Sequence, residues 1–113
     1  MSQSNKVLKE FGAVTAPASV QNVKGSGALG ALSTTAAVTT IATTGASTGT
    51  LANGVVGQVK HFVMILDGGA YVLTPANYAN GTTITFDDVG DSITLVFAAG
   101  EWYNVGTPTA TVA

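Results

Sequence analysis

The sequence predicts an all-β protein, a small antiparallel β-sandwich or barrel-like module preceded by an extended N-terminal arm. Three observations predict it. Residues 57–106 break into short apolar runs separated by Gly, Asn, Asp and Pro at close spacing, the pattern of strands joined by turns. Residues 25–56 hold no charged residue and are dominated by Thr, Ala, Gly and Val. Only 9% of all residues are charged, against about a quarter in ordinary globular proteins.

The composition also narrows function. The 113 residues suffice for one domain, or one domain plus an arm. All four basic residues are lysines, and only Lys6 and Lys9 lie close together, so the basic, arginine-bearing patch of a nucleic-acid binder is not expected. No run of about 18 apolar residues suggests a membrane-spanning helix. The opening MSQSNKVLKEFGAV lacks the apolar centre of a secretory signal. With no cysteine there is no disulfide framework and no thiolate chemistry. A module of about 50 residues buries roughly 60% of its unfolded surface and is marginal alone. Association with further copies is the expected remedy.

Residues 1–24 form the arm. Lys6, Lys9 and Lys24 against Glu10 give it a charge of +2, and Val7, Leu8, Phe11 and Val14 are spaced like about two turns of a helix face. Fully extended, it would reach on the order of 80 Å. Residues 25–56 are read as an interface segment. Gly25, Gly27 and Gly30 mark a loop or a close backbone approach, and Ser33 to Thr44 suits an extended strand. Leu29, Leu32, Val38, Ile41, Leu51, Val55 and Val56 are too many apolar residues for a linker, and an uncharged tract suits the core of a subunit interface. The Thr-Thr pairs at 34, 39 and 43 are too irregularly spaced for a solenoid repeat.

The module follows. From Val59 to Leu66 both strand faces are apolar, and Val63 and Ile65 are expected in the core. Asp67-Gly68-Gly69 reads as a turn, Ala70 to Thr74 as a strand ended by Pro75, and Asn80-Gly81 as a hairpin turn. Thr82 to Phe86 offers Ile84 to the core. The loop of Asp87, Asp88, Val89, Gly90 and Asp91 leads to a strand with Ile93, Leu95 and Phe97 on one face. After Ala98-Ala99-Gly100, the last strand carries Trp102 as the main aromatic anchor, with Val105 also inward, and residues 107–113 are a tail.

Candidate chemistry is sparse. Asp87, Asp88 and Asp91 could be calcium ligands, but no Asp-x-Asp-x-Asn-Gly pattern or closing Glu accompanies them, and aspartates start and cap turns. His61 is the only histidine; no Gly-x-Ser-x-Gly surrounds any serine, so His61 is expected at an interface, where protonation could make it pH-sensitive. The remaining acids, Asp67 and Glu101, fall at turns or strand starts and suggest no hydrolytic pair. Gly25-Ser26-Gly27-Ala28-Leu29-Gly30 matches a dinucleotide fingerprint only as a string, since no downstream acid follows in the uncharged tract. No catalytic residue, cofactor or metal is expected, and the protein is not expected to be an enzyme.

Gly57-Gln58-x-Lys60, Leu73-Thr74-Pro75-Ala76-Asn77, Gly81-Thr82-Thr83-Ile84-Thr85-Phe86, Val89-Gly90-Asp91-Ser92 and Trp102 together resemble a module of structural proteins of tailed bacteriophages, over residues 54–106. In such phages the module is similar to parts of capsid decoration (cement) proteins and of trimeric fibres. The resemblance implies a virion protein, made in the host cytoplasm. At 113 residues there is no room for a long shaft, which tilts the expectation to decoration of the outer capsid surface. The implied partner is the major capsid protein, contacted by the arm through Lys6, Lys9, Phe11 and Val14. The implied assembly is a trimer joined through Val38, Ile41, Leu51, Val55, Val56 and His61. The alternative is a trimeric tail-fibre tip or a carbohydrate- or receptor-binding module, with Tyr71, Tyr78 and Tyr103 exposed as a stacking surface.

Overall fold

The computed structural model describes residues 19–113. Lys6, Lys9, Phe11 and Val14, expected in the capsid-binding arm, lie outside them. The described chain is all-β, eight strands in one curled, mixed sheet that forms a half-barrel. In chain order the strands are β1 (Val20–Ala31), β2 (Val38–Leu51), β3 (Val59–Leu66), β4 (Tyr71–Pro75), β5 (Ile84–Phe86), β6 (Ser92–Ala98), β7 (Glu101–Asn104) and β8 (Thr111–Val112). β1 runs through the boundary expected between arm and interface segment at residues 24 and 25.

β2 organises the sheet. Its first half pairs in parallel with β1 and β3, aligning Val20, Val38 and His61 in one row and Val23, Ile41 and Met64 in another. Its second half pairs in parallel with β1 and β4, aligning Ala28, Thr48 and Val72. The chain therefore makes bent rungs stacked on one another. Each has two limbs joined by a bend, with a repeat of roughly 20 residues, as in a short solenoid. The Thr-Thr spacing, read as excluding a solenoid, does not register this repeat, because the rungs share backbone geometry and not residue identity. On the far side β6 pairs antiparallel with β3, β7 with β6, β5 with β4 and β8 with β5. The named strands within residues 57–106 thus pair with one another only antiparallel, and it is β2, from the segment before them, that brings in the parallel pairs and makes the sheet mixed.

The bend explains the change. Asp67-Gly68-Gly69 does not turn β3 back onto β4; it lies across the bend of β2. A Cβ on Gly69 would sit 2.4 Å from the carbonyl carbon of Gly45, and one on Gly68 would sit 2.4 Å from the carbonyl oxygen of Thr43. These glycines permit backbone contact between rungs. The buried Thr43 hydroxyl joins the same layers: it accepts from the N–H groups of Gly68 (3.0 Å) and Gly69 (3.2 Å) and donates to the Gly69 carbonyl (2.6 Å). The Ala98–Glu101 connection is a two-residue turn with positive φ at Ala99 (53°) and Gly100 (81°), as a type I′ hairpin requires. Asn80-Gly81 forms no such turn. Residues 76–83 are a wider loop held to the sheet by Trp102 N–H to Asn77 (2.9 Å), Ala79 N–H to Trp102 (2.9 Å) and Asn104 N–H to the Asn80 side chain (2.9 Å).

The core fills the concave side. Trp102, Tyr71, Phe62, Phe86, Ile41, Leu51, Met64, Leu73, Ile84 and Leu95 are fully buried, with Ile93 and Phe97 beside them. Phe97 packs edge-on to Trp102 at 5.1 Å, and the Trp102 indole N–H donates to the Ala52 carbonyl at 3.0 Å. Three corrections follow. Ile41 and Leu51, expected between subunits, lie in the protomer's own core because β2 is the central strand. Val63 is only half-buried and Ile65 is 52% exposed, because β3 turns Lys60, Phe62 and Met64 inward instead. Val105, also expected inward, is exposed as well.

Candidate functional site

The surface that stands out is the convex side of the first limb, across β1, β2, β3, β6 and β7. Strand alternation sets it. The inward residues of β3 and β6 fill the core, so Val59, His61, Val63, Ile65, Thr94 and Val96 face out. Parallel and antiparallel registers carry the surface sideways, from Val63 to Thr40 and Asn22 and from Val96 to Tyr103. The register shift between Ile41/Met64 and Ala42/Leu66 inserts Ile65 as an extra residue, so that Ile65 and Leu66 are both exposed and form a ridge. Beside the ridge, over the short side chain of Ala42, is a groove of about 420 Å³ lined by Asn22, Lys24, Thr40, Ala42, Ile65 and Leu66.

This surface carries few ionisable groups, namely Lys24, His61 and Glu101. His61 is exposed, and its Nδ1 lies 3.0 Å from the Thr94 hydroxyl across the β3–β6 ladder. Of the other residues expected between subunits, Val38 is half-buried in the same row as His61, while Val55 and Val56 are exposed on the loop between β2 and β3. The convex side of the second limb differs: Thr48, Thr50, Thr74 and Thr85 dominate it.

Most of the remaining polar groups are explained by the fold; the buried Tyr71 hydroxyl has no hydrogen-bond partner among the described residues. Lys60 is fully buried, which lowers its pKa; its ammonium donates to the Ala36 carbonyl (2.5 Å) and the Thr39 hydroxyl (3.3 Å) and sits 5.2 Å from the Phe62 ring centre. It thereby ties the 32–37 connection to β3. Carboxylate oxygens of Asp87, Asp88 and Asp91 come within 4.8 Å of one another. Asp91 accepts from the N–H groups of Asp87 (3.0 Å) and Asp88 (3.2 Å), which is turn chemistry. The Asp87 carboxyl is pushed up chiefly by its hydrogen bond with Asp91, then by desolvation and the charges of Asp88, Asp91 and Asp67. Tyr71, expected on a sugar-stacking surface, is fully buried; its hydroxyl lies over Gly49, and burial pushes it up to about 12. Tyr78 is half-buried and donates to Asn104, and Tyr103 is half-buried on the convex face, so the three do not form one exposed platform.

Sequence reasoning missed Ile65 and Leu66 as surface residues and Lys60 as a buried one. No signal in an eight-residue run apolar on both faces distinguishes the two sides. Comparison with protein-family models and with curated proteins finds no match.

Proposed function

We propose that this chain is a structural protein that works by assembly: a capsid decoration protein that binds the outer surface of a phage head, bridges neighbouring capsid subunits and stabilises the shell. The observation that carries the reading is the convex face of the first limb, rich in valine, isoleucine and leucine and almost without charge, which suits a surface made to be covered. The resemblance of residues 54–106 to phage structural modules supplies the setting. In this reading the chain is a homo-oligomer on the virion, and residues 1–24 contact the major capsid protein. Its mechanism is binding free energy repeated over many equivalent sites.

The test is co-sedimentation with heads of the parent phage from which this protein has been removed, together with imaging of the particle. Binding at regular sites on the head and a raised thermal resistance of the shell support the reading. Absence from the head, with density on the tail, overturns it.

The stacked parallel rungs favour one second reading, a component of a trimeric tail fibre, since stacked rungs can be extended into a shaft. The buried Tyr71 weighs against the carbohydrate-stacking form of that alternative.

A further inference from the structure

We infer that the convex face of the first limb is the contact between copies of this chain, packed face to face on the same face of a second copy. The inference rests on the reading of the protein as an assembly, and it names the surface and the occupant.

Four observations carry it. First, β1, β2 and β3 are parallel, and parallel sheets are normally covered on both sides; here the concave side is filled by Val23, Ile41, Phe62 and Met64, and none of the described residues covers the convex side. Second, Val20, Val59, Ile65, Leu66 and Val105 are each close to half exposed on that side, whereas the convex side of the second limb is mostly threonine. The difference lies between two limbs of the same sheet and is not a property of the composition as a whole. Third, the described residues form a single eight-stranded sheet, and no second sheet among them lies on its convex side. A second sheet about 10 Å away would complete a two-layer sandwich.

Fourth, the face fits itself. With so few ionisable groups it offers a charged partner little to pair with, and it imposes no charge repulsion on a copy of itself beyond Lys24, His61 and Glu101. The Ile65–Leu66 ridge lies beside the groove over Ala42, so a twofold operation can seat each ridge in the other copy's groove. Five strands about 4.8 Å apart, each contributing about six residues, span about 500 Å² in projection. Side-chain relief raises the accessible area toward the ~800 Å² per partner of a standard interface.

The test is sedimentation velocity and light scattering on the full chain at about 10–100 µM, for wild type and for V63K, I65K and T85K. Val63 and Ile65 face out, so lysine there leaves the core untouched; Thr85 is the control on the other limb. Near-ultraviolet dichroism of the buried Trp102 reports that each variant is folded. The expected result is a wild-type mass that is a multiple of 11.2 kDa, unchanged in T85K, with a dissociation constant raised at least about 100-fold in V63K and I65K. A wild-type chain that stays at 11.2 kDa at 100 µM overturns the inference, as does an assembly that survives both lysines. Failure of the capsid reading looks different: an assembly that V63K dissolves but that never binds heads.

Discussion

Replacing Thr43 with valine removes one oxygen and keeps the shape, which isolates what the hydroxyl does at the bend. Thr43 is fully buried, and its hydroxyl serves two backbone N–H groups and one carbonyl of the Gly68–Gly69 corner. A buried polar group left unpaired costs about 1–3 kcal/mol. Gly68 is exposed and Gly69 is half-buried, so water can replace part of the loss at Gly68 and less of it at Gly69. Valine also gains a little from burying a methyl in place of the hydroxyl. The net destabilisation of T43V is therefore about 2–4 kcal/mol, a large part of the stability of a small domain. T43S keeps the hydroxyl, loses one methyl, and should cost about 1 kcal/mol. The assay is urea unfolding at fixed protein concentration, followed by the fluorescence of Trp102, with the midpoint shift read at unchanged slope. If T43V unfolds within about 0.5 kcal/mol of wild type, or T43S is as damaging as T43V, the hydroxyl does not hold the rungs together.

Three further outcomes are expected. G69A should be far more damaging than T43V, because its Cβ would meet the backbone of Gly45 at 2.4 Å and of Ala46 at 2.5 Å; soluble, cooperatively unfolding G69A would show that the corner can open. A99N or A99G should raise the unfolding midpoint by roughly 0.5–1 kcal/mol, because Ala99 is a non-glycine residue held at positive φ in a two-residue hairpin; a lowered midpoint would refute the turn assignment. Stability should rise with pH through the alkaline range below 10.5, because burial lowers the Lys60 pKa and the unfolded chain then holds more protons than the folded one. From pH 10 to about 12 it should fall, because Tyr71 is raised to about 12 and the folded chain now holds the extra proton. Urea midpoints across pH 7–12 check both limbs of this profile, and K60M should remove the rise and leave the fall.

What the sequence showed, and what it hid, follows from how its strands are written. The all-β class was legible because turn residues punctuate short apolar runs throughout residues 57–106. The inward side of β6 was legible because Ile93, Leu95 and Phe97 alternate with Ser92, Thr94 and Val96, and only one side can fill a core. β3 offered no such contrast. Its inward side carries the lysine, a placement that depends on the Ala36 carbonyl reaching back from a connection 24 residues earlier. β2 looked like an interface segment because its buried positions include Thr39, Thr43 and Ser47, which are satisfied by distant polar partners and not by composition. The candidate face was legible only as an absence of charge. Its location required knowing that β3 and β4 pair end to end with successive halves of β2 and do not pair with each other.

The free edge of β1 and the convex face are two of the open surfaces of this fold, and the structure distinguishes them. Among the described strands β1 pairs with β2 alone, and an open parallel edge invites another strand. Yet β1 is built against that use. Its register shifts at Gly25/Gly27 and again at Ala28/Ala31, and Gly25, Gly27 and Gly30 all have positive φ, so the second half presents no even row of N–H and C=O groups. Lys24 stands at the end of the regular half. Bulges and an edge lysine are the devices by which sheets refuse further strands. The convex face also carries Lys24, but its one bulge pushes Ile65 and Leu66 outward and enlarges the apolar surface. Growth by adding rungs, as a fibre shaft needs, is thus opposed at β1, while the proposed packing of one sheet upon another does not use that edge. This difference is the physical reason to prefer a closed assembly of few copies, as a decoration protein requires, to an extending one.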